Sequence, residues 1–150
     1  YVLMCQLQQH LNLNFPQIEV NVTDELIKNQ NRTVFADQSL LPAILNLIQN
    51  GIRASKKKQS NRIDINSNIV NDQWQLTIRD YGKGFSAEKI SELGINPVVS
   101  KQGLGMAVFL SHASLERHHG HLEMSNHPQQ GAVVNVLLPL STEESAEKNE

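Results

Sequence analysis

The sequence lacks the features that mark secreted, membrane-spanning and strongly charged proteins. Cys5 is its single cysteine, which excludes an internal disulfide framework and fits a reducing compartment. No apolar run approaches the length of a membrane span. The formal net charge is −2, so the overall charge favours neither nucleic acid nor a membrane surface as a partner. These absences predict a soluble globular protein that does not bind nucleic acid directly.

The length of 150 residues fits one domain that can bury a substantial core. There is no internal repeat, and the chain starts in mid-pattern without an initiator Met, so we expect it to be part of a longer protein. Residues 141–150 contain four Glu, one Lys and almost nothing apolar, and we predict that they form a disordered acidic tail. The predicted domain is therefore residues 1–140.

The apolar pattern predicts an α+β fold, because helices and strands do not alternate strictly as they do in a doubly wound parallel sheet. Asp37 is expected to cap the helix at 40–55, Ser86 is expected to cap the short helix that ends at 93, and Gly120 is expected to end the last helix. Asn71 and Asp72 are expected to form a tight turn that joins the strands at 63–69 and 74–78 into a hairpin. Predicted helices cover residues 1–13, 40–55, 86–93 and 103–119; predicted strands cover 18–22, 33–36, 63–69, 74–78, 122–125 and 132–138; and 94–102 is irregular.

The helix predicted at 40–55 has an unusual polar side. Asn46, Asn50 and Arg53 lie at positions i, i+4 and i+7, on one stripe about 60° wide, opposite a face of Leu and Ile. A solvated stripe is usually rich in Lys and Glu, and Asn is a below-average helix former. For this helix alone, a polar side that faces water is the simpler interpretation. The composition nevertheless indicates a purpose other than helix stability.

Two glycine pairs follow in the chain. Gly82 and Gly84 come after Asp80 at a strand end, where the backbone can pass close to a flat ligand and the carboxylate can accept a hydrogen bond from an amino group. Gly103 and Gly105 open a helix, whose N–H groups and dipole favour an anion such as phosphate. Neither pair matches a P-loop or the dinucleotide-binding fingerprint. Taken singly, each pair is explained more simply by turn chemistry.

The three segments in this order resemble the ATP-binding domain of the gyrase, Hsp90, histidine kinase and MutL superfamily. Residues 46–50 resemble its N box, residues 80–84 its first glycine box and residues 103–107 its second. The resemblance covers nearly the whole chain, from the first strand to Leu140. It implies the Bergerat-type ATP-binding fold, a two-layer α/β sandwich with a mixed, mostly antiparallel sheet and helices on one face. Residues 94–102 would be the lid over the nucleotide.

Within that superfamily, the residues point to the sensor histidine kinases. Hydrolytic members and anti-sigma serine kinases carry a Glu general base one helical turn before the metal-binding Asn. Asn46 occupies that position here, and a carboxamide has no useful basicity. The segments around Asp37 and His118 also resemble the histidine kinase branch, although His119 stands where that family is closer to Gly-Gly. The short lid is similar to that of the RegB/PrrB type.

The resemblance implies a role for each matching residue. Asn50 would coordinate Mg²⁺ at the phosphates of ATP with help from Asn46, and both would serve catalysis. Asp80 would bind the adenine amino group. Lys101, at the end of the lid, is our own assignment as a neutraliser of phosphate charge, with a solvated lysine as the equal alternative. The remaining assignments are Arg53 to a phosphate, Gly82 and Gly84 to the adenine pocket, and Gly103, Leu104 and Gly105 to the phosphates.

The resemblance also implies partners. The chain contains no His-Glu-x-x-x-Pro-Leu phosphoacceptor box, so the phosphoryl group would pass to a His on a separate dimerisation and phosphoacceptor domain of the same kinase. A response regulator would act downstream, and the full-length protein would be a membrane-bound homodimer with this domain in the cytoplasm, at the inner membrane. Three alternatives remain open: an allosteric nucleotide-binding module without phosphotransfer, a hydrolytic ATPase of the same fold, and an α+β sandwich without a nucleotide site.

Overall fold

The computed structural model describes residues 2–18, 20–22, 28, 32–34, 37–92, 111 and 113–141. Residues 111 and 113–117 are helical. The predicted lid, the second glycine segment and residues 142–150 lie outside the described residues. The other described elements are helices α1 (Val2–Asn14), α2 (Leu40–Lys57) and α3 (Ala87–Glu92), and strands β1 (Val20–Val22), β2 (Thr33–Val34), β3 (Ile63–Val70), β4 (Gln73–Asp80), β5 (His121–Asn126) and β6 (Ala132–Ser141).

The strands form one mixed sheet in which antiparallel pairing dominates. The order is β1-β3-β4-β6, with β1 parallel to β3 and the other neighbours antiparallel. The far edge of the long strand β6 serves two partners, because β5 pairs with residues 132–137 and β2 pairs with residues 140–141. The sheet is therefore mixed and mostly antiparallel, as the resemblance predicted.

The central hairpin follows from the sequence pattern. Side chains of β3 and β4 alternate between buried and more exposed positions, as expected for strands with one covered face. Asn71 and Asp72 connect them with φ angles of 50° and 59°. A two-residue turn with φ above zero at both positions matches the right-handed twist of the strands, and Asn and Asp tolerate that conformation. The predicted hairpin is confirmed.

Helices α1 and α2 and the last helical stretch cover one face of this sheet and complete a two-layer sandwich. The apolar stripe of α2 packs against β4 and against α1, and Leu115 of the last helical stretch joins the same core. None of the helices that the structure describes is both long and apolar enough to cross a membrane. The predicted fold class is confirmed. The core residues that are fully buried include Leu7, Leu11, Ile44, Ile48, Ile65, Leu76, Leu115, Val136 and Leu138.

The start of α2 differs from the prediction. The helix begins at Leu40 after Ser39, so Asp37 is not its N-cap residue. Instead, Asp37 Oδ1 accepts hydrogen bonds from the Ser39 N–H at 2.7 Å and the Ser39 hydroxyl at 2.5 Å, and it lies 3.1 Å from His118 Nε2. The Ser39 hydroxyl and N–H, and then His118, lower the pKa of Asp37 to about 2. Asp37 therefore ties the start of α2 to the end of the last helical stretch.

The end of that stretch differs as well. The left-handed residue is His119, with φ of 58°, and not Gly120. Gly120 is required for space instead, since a Cβ there would lie 2.5 Å from the Leu137 carbonyl oxygen. His119 therefore occupies a backbone conformation that disfavours side chains, and Gly120 is restricted to glycine by its close contact with β6.

Candidate functional site

The polar side of α2 carries the three residues that the sequence singled out. Asn46 and Arg53 are exposed, and Asn50 between them is half-buried. The Nδ2 atom of Asn50 is buried and has no hydrogen-bond partner within the described ranges. Because buried polar groups in folded proteins are normally paired, an uncommitted amide at this position is what a ligand-binding side chain would show.

The end of β4 holds a buried carboxylate. Asp80 is 7% exposed, and its Oδ1 accepts hydrogen bonds from the N–H groups of Gly82 at 2.9 Å and Ala132 at 3.0 Å. Both of these bonds fall on Oδ1, which leaves Oδ2 to receive another donor. Burial raises the pKa of Asp80, although the N–H groups of Ala132 and Gly82 oppose the change. A buried acceptor of this kind suits an amino group on a ligand.

Helix α2 packs directly on the Asp80 segment. A Cβ added to Gly82 would lie 2.9 Å from the Ala54 carbonyl oxygen, and one added to Gly51 would lie 2.8 Å from Ile63 Cδ1 and 3.5 Å from Asp80 Cβ. Gly51 was not predicted from the sequence. The sequence does contain a signal for it, because Gly51 lies on the buried stripe of α2, where a large apolar residue is usual.

Ser55 is a second site residue that the sequence reading missed. Its side chain is buried on the apolar side of α2, and its hydroxyl accepts a hydrogen bond from the Tyr81 N–H at 2.9 Å. The bond joins the helix of Asn50 to the loop that follows Asp80. A buried Ser at the end of an apolar stripe was the available signal.

The residue after Asp80 is fixed on the other side of the sheet. The guanidinium groups of Arg62 and Arg79 each lie over the Tyr81 ring, at 4.6 and 4.4 Å from its centroid, and the Tyr81 hydroxyl donates a hydrogen bond to Asp64 Oδ2 at 2.5 Å. Burial raises the pKa of the carboxyl of Asp64, but the hydrogen bonds from Tyr81 and Arg62 outweigh it and lower that pKa. Burial and the Asp64 carboxylate raise the pKa of Tyr81. These contacts of the Tyr81 side chain fix the start of the loop that follows β4.

The hairpin between β5 and β6 closes the site from a third direction. Gly131 has φ of 89°, and a Cβ there would lie 1.8 Å from the Asp80 carbonyl oxygen. Only a glycine allows this hairpin to approach Asp80 so closely. Gly84, with φ of 77°, adopts the second left-handed glycine conformation at the site.

The structure therefore brings the first glycine segment and the polar helix together. Asp80 and Gly82 pack beside α2, which carries Asn46 and Asn50 toward its middle and Arg53 farther along. The functional roles of these residues remain predictions. Lys101, Gly103, Leu104 and Gly105 lie outside the described residues, and so their roles also remain predictions.

Comparisons with known proteins identify the family of this domain. Residues 36–142 match the family of histidine kinase-, DNA gyrase B- and HSP90-like ATPases. The sensor protein DegM of a Bacillus species (strain B21-2) is 26% identical over 128 residues, which cover 85% of this chain and 32% of that protein.

Solved structures share the fold. Full-length ShkA in complex with AMPPNP has a TM-score of 0.72 at 17% identity, over 93% of this chain and 30% of that one. Histidine kinase ThkA in complex with the response regulator protein TrrA has a TM-score of 0.66 at 19% identity, over 91% of this chain and 39% of that one.

The chain belongs to the histidine kinase-, DNA gyrase B- and HSP90-like ATPase family, since the match covers most of its length. Within that family it is an ATP-binding domain of the sensor histidine kinase type. It spans a third or less of the length of the curated relatives named as sensors and kinases. The narrower likeness to RegB/PrrB kinases remains a prediction.

Proposed function

We propose that this domain binds Mg²⁺–ATP and transfers the γ-phosphoryl group to a histidine on a separate helical domain. The observation that carries the proposal is the buried Asp80 carboxylate, whose Oδ2 accepts no hydrogen bond from the residues that the structure describes, beside a helix in which the Asn50 Nδ2 atom has no partner in that same part of the chain. The Asp80 carboxylate suits the amino group of adenine, and the Asn50 amide suits the phosphate end of the nucleotide. Their arrangement on two packed elements supports one nucleotide spanning both.

On the base side, Asp80 would accept a hydrogen bond from the adenine amino group through Oδ2. The two N–H groups on Oδ1 fix the carboxylate plane, so little orientational freedom is lost when the base binds. Gly82 and Gly84 would shape the adenine pocket by letting the loop lie close to α2 and to the β5–β6 hairpin, because a Cβ at either position would lie less than 3 Å from atoms of Ala54 or Asn126.

On the phosphate side, Asn50 would provide an oxygen ligand to Mg²⁺, with Asn46 assisting and Arg53 facing a phosphate. The fit rests on chemistry, because Mg²⁺ prefers oxygen ligands and is held in such sites by few protein groups together with phosphates. When bound, the ion would neutralise charge on the transferring phosphoryl group. The side chains of Asn50 and Asn46 would hold the phosphates in position. Lys101, Gly103, Leu104 and Gly105 complete the proposed set.

The side chains of α2 support phosphotransfer over hydrolysis. The residue one turn before Asn50 is Asn46, which is exposed and cannot remove a proton from water at neutral pH. Phosphoryl transfer depends mainly on positioning and charge neutralisation, so the attacking group can come from a partner. The proposed partner is the dimerisation and phosphoacceptor domain of the same kinase.

The wider setting is proposed from the relatives. A response regulator would receive the phosphoryl group, and ThkA, which shares the fold, has been solved with one. The full-length protein would be a membrane-bound homodimer, with this domain in the cytoplasm at the inner membrane. Residues 1–140 would form the catalytic domain and residues 141–150 an acidic tail, whose first residue, Ser141, is the last residue of β6.

The direct test adds the helical phosphoacceptor domain of the same kinase to this domain, together with Mg²⁺ and γ-labelled ATP. We expect acid-labile, base-stable label on the acceptor, no label after its histidine is replaced, and little free phosphate. Sustained phosphate release without a labelled acceptor would instead establish the hydrolytic ATPase. ATP binding with neither product would establish the allosteric nucleotide-binding module.

A further inference from the structure

The loop between β4 and α3, residues 81–86, carries both glycines of the first glycine segment but has no regular secondary structure. A loop of this kind loses conformational freedom when it must fit a ligand, and that loss weakens binding. What holds residues 81–86 in place before a nucleotide arrives therefore bears directly on affinity.

One end of the loop is held by a side chain of the β5–β6 hairpin. Asn126 Oδ1 accepts a hydrogen bond from the Phe85 N–H at 2.7 Å, and Asn126 Nδ2 donates one to the Phe85 carbonyl oxygen at 2.7 Å. Both polar atoms of one carboxamide are thus committed to the backbone of one loop residue. The Asn126 side chain thus makes with the Phe85 backbone the pair of hydrogen bonds that a neighbouring β-strand would otherwise make.

The other end is held from the same hairpin. Gln130 Nε2 donates a hydrogen bond to the Tyr81 carbonyl oxygen at 2.8 Å. The hairpin is itself closed by the His127 N–H, which donates to the Gly131 carbonyl oxygen at 2.9 Å. Asn126 and Gln130 therefore hold both ends of the loop from one compact turn.

The fit between loop and hairpin is close. A Cβ added to Gly84 would lie 2.6 Å from Asn126 Oδ1. Gly84, which we assign to the proposed nucleotide pocket, is therefore also the residue that lets Asn126 reach Phe85. Neither Asn126 nor Gln130 belongs to the three segments that carry the family resemblance.

We propose that Asn126 and Gln130 are positioning residues that set the loop 81–86 in its nucleotide-binding shape in the absence of nucleotide. This inference rests on the proposed function of the Asp80 site. When a protein adopts its binding-competent conformation only part of the time, the apparent Kd rises by the inverse of that fraction. The hairpin would keep this fraction close to one.

The test measures ATP, ADP and AMP affinity by calorimetry in Asn126→Ala and Gln130→Ala. Gln129→Ala is the matched control, because its exposed side chain lies in the same turn and its backbone hydrogen bond to His127 would be retained. For Asn126→Ala we expect about tenfold weaker binding, since two hydrogen bonds are lost. The factor should be the same for all three nucleotides, because the loop faces the base. Asn126→Asp, which still accepts from Phe85 but cannot donate, should be intermediate.

Hydrogen exchange supplies a readout that does not depend on binding. The Phe85 amide should be protected in the nucleotide-free wild type, should exchange faster in Asn126→Ala, and should regain protection when ATP is added. The melting temperature should change little, since the core is untouched. With wild type that binds ATP, equal affinity of Asn126→Ala and Gln129→Ala would overturn this inference alone. A folded wild type that binds no nucleotide would overturn it together with the proposed function.

Discussion

The two halves of the site are built in different ways. Around Asp80, backbone groups of the loop are bonded to α2 through Ser55 and to the β5–β6 hairpin through Gln130 and Asn126. On the polar side of α2, by contrast, the Asn50 amide has a buried nitrogen without a partner in the described part of the chain. One half is bonded in advance, and the other is left open.

This difference suggests that the two halves of the site have different roles in nucleotide binding. A preset base side can favour adenine without losing freedom on binding, because its donors and acceptors already point in fixed directions. An open phosphate side can accommodate a metal ion and a phosphoryl group whose position changes during transfer. Substitutions in the preset half should therefore change stability and base recognition, and substitutions in the open half should change the response to Mg²⁺.

Gly131→Ala should have the largest effect, because it pushes the hairpin away from Asp80. Overpacking against a backbone oxygen and a side chain at positive φ should together cost about 3 kcal/mol or more of unfolding free energy. Urea denaturation would measure it, with Gln129→Ala in the same turn as the control. Full stability of the alanine variant would show that the hairpin is not tightly seated on Asp80.

Asp80→Asn should separate affinity from stability. An amide presents an NH₂ group to the adenine amino group, so ATP binding should weaken about a hundredfold, in line with about 1.5–3 kcal/mol for a hydrogen bond to a charged group plus the new mismatch. The asparagine still accepts the two N–H groups on Oδ1, and the buried charge is gone. Nucleotide-free protein should therefore be at least as stable as wild type in urea.

The pH dependence supplies the control for this substitution. Burial raises the pKa of Asp80 above its unfolded value, so the folded protein binds more protons between the two pKa values. Its contribution should make wild type less stable as pH rises from about 4 through the folded pKa, and Asp80→Asn should lack that loss. Identical stability profiles for the two proteins over this range would show that the carboxylate is not desolvated.

Asn50→Ala tests the open half. Since its amide nitrogen has no partner in the described residues, the substitution should leave the melting temperature almost unchanged. The increase in ATP affinity that Mg²⁺ provides should fall about tenfold or more, the range expected for a lost charge-assisted contact. Asn66→Ala, an exposed amide on β3, is the matched control. An unaltered Mg²⁺ effect would remove Asn50 from the metal site.

His119→Gly should give the smallest change and serves as a reference, because His119 is not among the proposed site residues. His119 is exposed with φ of 58°, and glycine relieves that strain at the expense of a freer unfolded chain. We expect a gain of up to about 1 kcal/mol, or roughly 2–4 °C in melting temperature, with ATP affinity unaltered. A loss of stability would show that the His119 side chain makes a useful contact.

Local pattern was enough to predict the strands, the central hairpin and the polar stripe of α2, whereas the mixed, mostly antiparallel sheet was predicted from the family resemblance. Alternation over residues 63–80 and an Asn-Asp turn identify two antiparallel strands because each signal acts within a few residues. The same holds for Ser86, whose hydroxyl accepts the Lys89 N–H at 3.2 Å at the start of α3, as predicted.

Contacts between distant residues could not be read in this way. Asp is a residue type that commonly caps helices. The Asp37 side chain instead contacts Ser39 and His118, which lies 81 residues later in the chain. Ser55 and Asn126 likewise form their hydrogen bonds only because the fold brings the loop after Asp80 beside them. A turn sequence shows that the chain reverses, but not which backbone its side chains will meet.

The measurement that tests this account most directly is a calorimetric titration of ATP into the domain, with and without Mg²⁺. We expect micromolar to sub-millimolar binding, about −5 to −8 kcal/mol, with a part that persists without Mg²⁺ from the preset half and a Mg²⁺-dependent part from the open half. A folded domain that shows no binding under either condition would contradict the account. Binding that vanishes entirely without Mg²⁺ would contradict the contrast between the two halves.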